Sequence, residues 1–113
     1  MSWTAVCKLS ELPDDTALGV EIDAKPVCVA RSEGTVYALY DVCSHAEIAL
    51  SEGEVEDGTV ECWLHGSAFD LATGKPTNLP ATKPVPTYAV RVDGDEVFVD
   101  ITMSSQSSLE QHA

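Results

Sequence analysis

Cys43-Ser44-His45 and Cys62-Trp63-Leu64-His65 each place a thiol and an imidazole a few residues apart, and sixteen residues separate the two groups. Two of the four cysteines and two of the three histidines lie in these pairs. A thiolate is a soft ligand and an imidazole a borderline one, so the C-x-H … C-x2-H pattern offers two sulfur and two nitrogen donors to a metal centre. A [2Fe–2S] cluster needs that set when two of its usual four cysteines are replaced by histidines on one iron. The competing reading is a structural zinc site. Zinc sites of two Cys and two His, however, pair Cys with Cys and His with His, as in C-x2-4-C … H-x3-5-H. The interleaved order here favours iron and sulfide.

Histidine ligation has an electrostatic consequence. Neutral imidazoles in place of two thiolates leave the oxidised centre uncharged and the reduced one singly negative, so an added electron meets less repulsion than in an all-thiolate cluster and the potential rises. Iron also acidifies a bound imidazole, which couples the potential of a centre held by His45 and His65 to pH at the alkaline end.

The elements that position such a centre read as an all-β, antiparallel β-sandwich. Residues 17–22 and 25–31 are apolar, β-branched runs separated by Asp23-Ala24, and Thr35 to Tyr40 follows a Glu33-Gly34 turn. Asp57-Gly58, between Val55-Glu56 and Thr59-Val60-Glu61, has the composition of a type I′ hairpin turn. Tyr88 to Val92 and Glu96 to Val99 flank Asp93-Gly94-Asp95 as a further hairpin, and Trp3 to Lys8 reads as another strand. Ala46 to Leu50 is long enough for one helical turn. Lys75 to Pro86 holds four of the six prolines, which lack the ladder donor, and is expected to be loop or edge. Both Cys/His pairs therefore fall in loops, one after the strand ending near Tyr40 and one after the second arm of the Asp57-Gly58 hairpin, forming a small cluster-binding subdomain of two loops. Cys7 and Cys28 lie inside strand-like runs and read as small buried hydrophobes, not disulfide partners.

The chain has 113 residues, 44% of them apolar and 22% charged, which suits one modest domain and leaves little room for a deep substrate cleft. Residues 1–102 read as that domain, with cluster-binding loops at about 41–80. The serine-rich stretch 103–113, with His112, reads as a flexible tail. Met1 to Lys8 carries no basic leader followed by an apolar stretch, and no apolar run is long enough to span a bilayer, so a cytoplasmic location is expected. Six basic against nineteen acidic residues give a net charge of −13, which disfavours nucleic acid and anionic membranes and favours a basic protein surface. Glu47, Glu52, Glu54, Glu56, Asp57 and Glu61 lie between the two Cys/His pairs with no Lys or Arg among them. They read either as a solvating surface or as a docking patch.

From Trp3 to about Ile101 the chain resembles the Rieske-type ferredoxins of bacterial ring-hydroxylating dioxygenase systems. The resemblance is carried by Cys43-Ser44-His45, Cys62-Trp63-Leu64-His65-Gly66-Ser67, Phe69-Asp70, Thr73-Gly74 and the proline-rich segment. It implies a Rieske fold, with Cys43 and Cys62 on the inner iron, His45 and His65 on the outer iron through Nδ1, and Leu79-Pro80-Ala81 as a third loop shielding the cluster. It also implies a monomeric one-electron carrier, not catalytic alone. Such a carrier accepts electrons from a flavin-containing NAD(P)H-dependent reductase and passes them to a terminal non-haem iron oxygenase through the edges of His45 and His65. Ile48 and Leu64 stand where the quinol-oxidising branch of the family has a disulfide, and Phe69 stands where that branch has a tyrosine that donates to a cysteine sulfur. Without that donor the reduced state is less stabilised, so a potential low within the class is expected, although Ser67 keeps a hydroxyl. Gly66, Trp63 and Leu64 are candidates for close approach or water exclusion, and Phe69 and Leu71 for core. Alternative readings are a small subunit of a larger oxidoreductase such as a nitrite reductase, or an accessory protein in iron–sulfur assembly or redox sensing.

Overall fold

Apolar, largely β-branched runs broken by turn pairs generate antiparallel strands. The computed structural model describes residues 3–42, 49–62, 68–77 and 84–104. Their strands are β1 (Thr4–Lys8), β2 (Thr16–Ile22), β3 (Lys25–Ser32), β4 (Thr35–Tyr40), β5 (Val55–Glu56), β6 (Thr59–Glu61), β7 (Ala68–Asp70), β8 (Thr87–Asp93) and β9 (Glu96–Ser104). Single 3-10 turns occupy Leu9–Glu11 and Leu50–Glu52. A six-stranded sheet has the order β1-β9-β8-β4-β3-β2, and a three-stranded sheet the order β5-β6-β7.

The period-two alternation of β3 and β4 divides the interior. Cys28 and Ala30 of β3 and Leu39 of β4 face the small sheet, packing with Leu50, Val55, Val60, Cys62, Phe69, Leu71 and Val85. Val27, Val29 and Ala38 face the other way, against Val97 and Val99 of β9. Since β8 and β4 separate β9 from β3 in the sheet, this contact requires the large sheet to curl over itself, as twisted antiparallel sheets do. The central strands are thus buried on both faces. The small sheet is pinned at its turn, where the Gly58 amide donates to Ser32 Oγ at 2.9 Å, satisfying a serine only 2% exposed.

The Asp57-Gly58 turn takes the backbone its composition predicts, with φ of 49° and 77°, the left-handed pair a type I′ turn requires. Asp23-Ala24 (φ 50° and 67°) and Glu33-Gly34 (φ 52° and 81°) repeat it. The turn expected over Ala46–Leu50 falls mostly on 46–48, outside the described residues; Ala49 is extended and a 3-10 turn spans Leu50–Glu52. Two details differ from the reading of the sequence. β7 carries no strand signal of its own, and forms because Val60↔Phe69 and Glu61↔Ala68 complete the ladder of β6. β9 continues through 103 and 104, the first two positions assigned to the tail. Its register shifts after Ala89↔Asp100 and pairing resumes at Tyr88↔Ser104, a backbone event that no side-chain periodicity announces. Residues 105–113, with His112, lie outside the described residues. No helix among the described residues is long and apolar enough to cross a membrane.

Candidate metal centre

Of the four proposed ligands, Cys62 lies within the described residues; Cys43, His45 and His65 lie outside them, as do Ser44, Glu47, Ile48, Trp63, Leu64, Gly66, Ser67 and Leu79-Pro80-Ala81. The described residues include the stems from which the candidate ligand segments leave, and Cys62 itself. Cys62 follows directly on β6, is fully buried, and packs among Leu39, Leu50, Val60, Phe69, Leu71 and Val85. It is a free thiol, as are Cys7 and Cys28. Cys28 is fully buried, whereas Cys7 is half-exposed against the second core cluster. Burial, reinforced by the charge of Asp41, pushes the Cys28 thiol far up and keeps it protonated.

The three stems are tied to each other. The first segment leaves β4 at Asp41 and returns at Ala49. The Tyr40 amide donates to Pro86 O at 2.8 Å, joining this stem to the chain that returns from the proline-rich segment. The second segment joins Cys62 to Ala68 across the β6–β7 hairpin, whose last pair is Glu61↔Ala68. The third leaves at Thr77, whose amide and Oγ1 both donate to Ala68 O at 2.8 and 3.2 Å, and returns so that the Val85 amide donates to Gly74 O at 2.8 Å. Pro76 bridges to Phe69, so the described part of the proline-rich segment is loop and edge, as expected. Asp70 shapes the turn between, its Oδ1 accepting from the Ala72 and Thr73 amides at 2.8 and 3.3 Å.

Gly53 brings the first and second stems into contact. It lies so close to β6 that a Cβ at this position would stand 1.6 Å from Glu61 O, one residue before Cys62. The Glu61 amide donates to Glu54 O at 2.8 Å, completing the join. The chain leaving the first Cys/His segment is thereby held against the chain entering the second. Sequence reading passed over Gly53, although a glycine outside any turn signal was the one available clue.

A second feature was missed. Asp41, 5% exposed, accepts from the Ser51 amide (to Oδ1) and from Ser51 Oγ (to Oδ2), both at 2.6 Å, and its own amide donates to Pro26 O at 3.1 Å. Burial raises the pKa of this carboxyl, opposed by the hydrogen bonds from Ser51.

The donor set fits an iron–sulfur centre. Cys62 stands at the mouth of a hairpin, directly before the segment that carries His65, and the apolar wall behind it excludes water from that side. Phe69, fully buried in the same cluster, is core as expected and brings no hydroxyl toward the cysteines.

Comparison with known proteins agrees with this architecture. Residues 2–89 match the model of the Rieske [2Fe-2S] domain. The chain is 42% identical over 101 residues to the ferredoxin component of biphenyl 2,3-dioxygenase from Rhodococcus jostii (strain RHA1), covering 89% of this chain and 94% of that protein. It superposes on the ferredoxin of carbazole 1,9a-dioxygenase from Nocardioides aromaticivorans IC177 with a TM-score of 0.83 at 38% identity, over 88% of this chain and 97% of the other. A ferredoxin solved in complex with the reduced oxygenase of carbazole 1,9a-dioxygenase gives a TM-score of 0.81 at 37% identity, over 86% of this chain and 91% of that one. The chain belongs to the Rieske [2Fe-2S] domain family, and one [2Fe–2S] cluster is its cofactor.

Proposed function

We propose that the chain is a cytoplasmic, monomeric one-electron carrier of a ring-hydroxylating dioxygenase system. It takes electrons from a flavin-containing NAD(P)H-dependent reductase and delivers them to a terminal non-haem iron oxygenase. Cys43 and Cys62 would hold one iron, His45 and His65 the other. When bound, the cluster supplies reversible one-electron chemistry at a potential above that of an all-cysteine centre. The protein's part is to hold the ligands still and keep water away. The observation that carries the reading is Cys62, buried to 0% exposure where the tied stems of the ligand-bearing segments meet.

Low-temperature electron paramagnetic resonance of the dithionite-reduced protein, with iron and sulfide analysis on the same sample, tests the assignment. A rhombic signal with average g below the free-electron value and two irons per chain is expected, whereas bound zinc without a signal would refute it. With Phe69 unable to donate to sulfur, the midpoint is expected in the lower part of the about −150 to +300 mV range of His-ligated clusters. A value among the quinol-oxidising proteins would contradict that.

Partner choice follows from charge. Glu52, Glu54, Glu56, Asp57 and Glu61 are all exposed on the 3-10 turn and on β5–β6, beside the stem of Cys62, with no Lys or Arg between them. Such a field steers the carrier toward basic surfaces on reductase and oxygenase. Second-order transfer rates are expected to fall about tenfold from low to high salt, and charge-neutralising these five residues is expected to flatten the dependence. Unchanged rates and salt slopes in that variant would make the acids a solvating surface only.

A further inference from the structure

Asp41 and Ser51 bracket the segment that carries Cys43 and His45, and they are joined across it. The carboxylate takes both Ser51 donors at 2.6 Å, a two-point contact that fixes the direction of the Ser51 backbone as well as its distance. The site is recessed: Asp41 is 5% exposed, and its amide is anchored to Pro26 O at the start of β3. The third wall is Gly19 of β2. A Cβ there would lie 2.7 Å from Ser51 Oγ and 3.1 Å from Asp41 Oδ2, so the pair occupies the space a side chain would otherwise fill. An acidic residue buried at the foot of a loop costs desolvation. Neither the ligand assignment nor the docking surface accounts for it.

We propose that Asp41 is a positioning residue: clamped by Ser51 in the notch left by Gly19, it fixes the two ends of the Cys43–His45 segment and thereby the geometry that segment presents to iron. This inference rests on the ligand assignment proposed above. The clamp is a matter of shape and hydrogen bonding, and asparagine can supply both. Its Oδ1 accepts from the Ser51 amide while its Nδ2 donates to Ser51 Oγ, because a hydroxyl can turn to accept. Alanine supplies neither.

The test uses the cluster-loaded full chain and compares Asp41→Ala, Asp41→Asn, Ser51→Ala and Gly19→Ala. The readouts are the g values of the reduced state and the rate of iron release to a chelator. Asp41→Ala and Gly19→Ala are expected to shift the rhombic g values and speed iron release about tenfold, the lower end of the effect of removing a supporting contact at a metal site. Ser51→Ala, which keeps the backbone bond, is expected to fall between these and the parent. Asp41→Asn is expected to restore the parent g values and release rate. Should Asp41→Ala fail to fold, Ser51→Ala and Asp41→Asn decide the matter. Parent behaviour in Ser51→Ala, or an Asp41→Asn variant as perturbed as the most affected of the others, overturns the clamp, the latter because charge alone would then be what matters. A parent protein without two irons and a rhombic signal would instead refute the ligand assignment, an outcome separate from any difference among the variants.

Discussion

Replacing Cys62 by alanine is expected to give a chain that folds but holds no [2Fe–2S] cluster, while Cys28→Ala keeps the full rhombic signal and two irons. The two cysteines form an unusually even comparison. Both are 0% exposed, both are free thiols, and both pack in the same apolar cluster with Leu39, Leu50, Phe69 and Val85. Removing either sulfur therefore opens a similar small cavity, at a cost of about 1–3 kcal/mol. What separates them is place. Cys28 is in the middle of β3, paired to Gly19 of β2 on one side and Leu39 of β4 on the other, away from the segments that carry the other candidate ligands. Cys62 is the first residue beyond β6, at the mouth of the segment leading to His65. Iron and sulfide analysis with electron paramagnetic resonance on both variants reads the result. A parent-like signal from Cys62→Ala would remove that residue from the ligand set, and loss of signal from a folded Cys28→Ala would bring an unforeseen residue into it.

Gly53→Ala is expected to be the most damaging substitution outside the ligands. The new Cβ would stand 1.6 Å from Glu61 O and 2.8 Å from Glu61 C, both backbone atoms of a strand paired on its other side to Ala68. A flexible side chain could swing away from such a clash, but a paired strand must move as a unit. The cost is placed at about 3 kcal/mol or more, the upper part of the range for overpacking. Because Glu61 directly precedes Cys62, the displacement separates the chain leaving the first Cys/His segment from the chain entering the second. Denaturant unfolding should show the loss of stability, and cluster content after anaerobic reconstitution should fall by more than half. Gly53 has a φ of −89°, so its cost comes from the clash alone, whereas Gly34→Ala, with nothing within 4 Å at φ 81°, carries backbone strain without a clash and serves as the comparison. Equal behaviour of the two variants would mean that the contact at Gly53 does not hold the stems together.

The residue types settled the chemistry. C-x-H … C-x2-H is legible without a structure because metal preference depends on the donor atoms and their order, both of which are read directly from the chain. The hairpins were legible for a similar reason: Asp57-Gly58 must take left-handed backbone to reverse two right-twisted strands, and local sterics decide that. β3 was legible as an apolar, β-branched run, but not its burial on both faces. Which face met which partner was decided only by the curling of the large sheet, which sets Val27 and Val29 against β9 and Cys28 and Ala30 against the small sheet.

The features that hold the candidate centre in place were not legible, since each is a contact between residues distant in the chain. Asp41 and Ser51 are ten positions apart and carry no motif. Gly19 matters only because that pair fills the space above it, and Gly53 only because β6 passes within a bond length of its missing side chain. β7 exists because β6 offers it an open edge, and β9 reaches Ser104 because its register slips. The chain alone thus singled out the candidate ligands and the turns that reverse the strands, both local properties of residue type and spacing. The tertiary structure decided how the stems of the candidate ligand segments are brought together and held, because close approach and burial arise only when distant segments exclude water from one another.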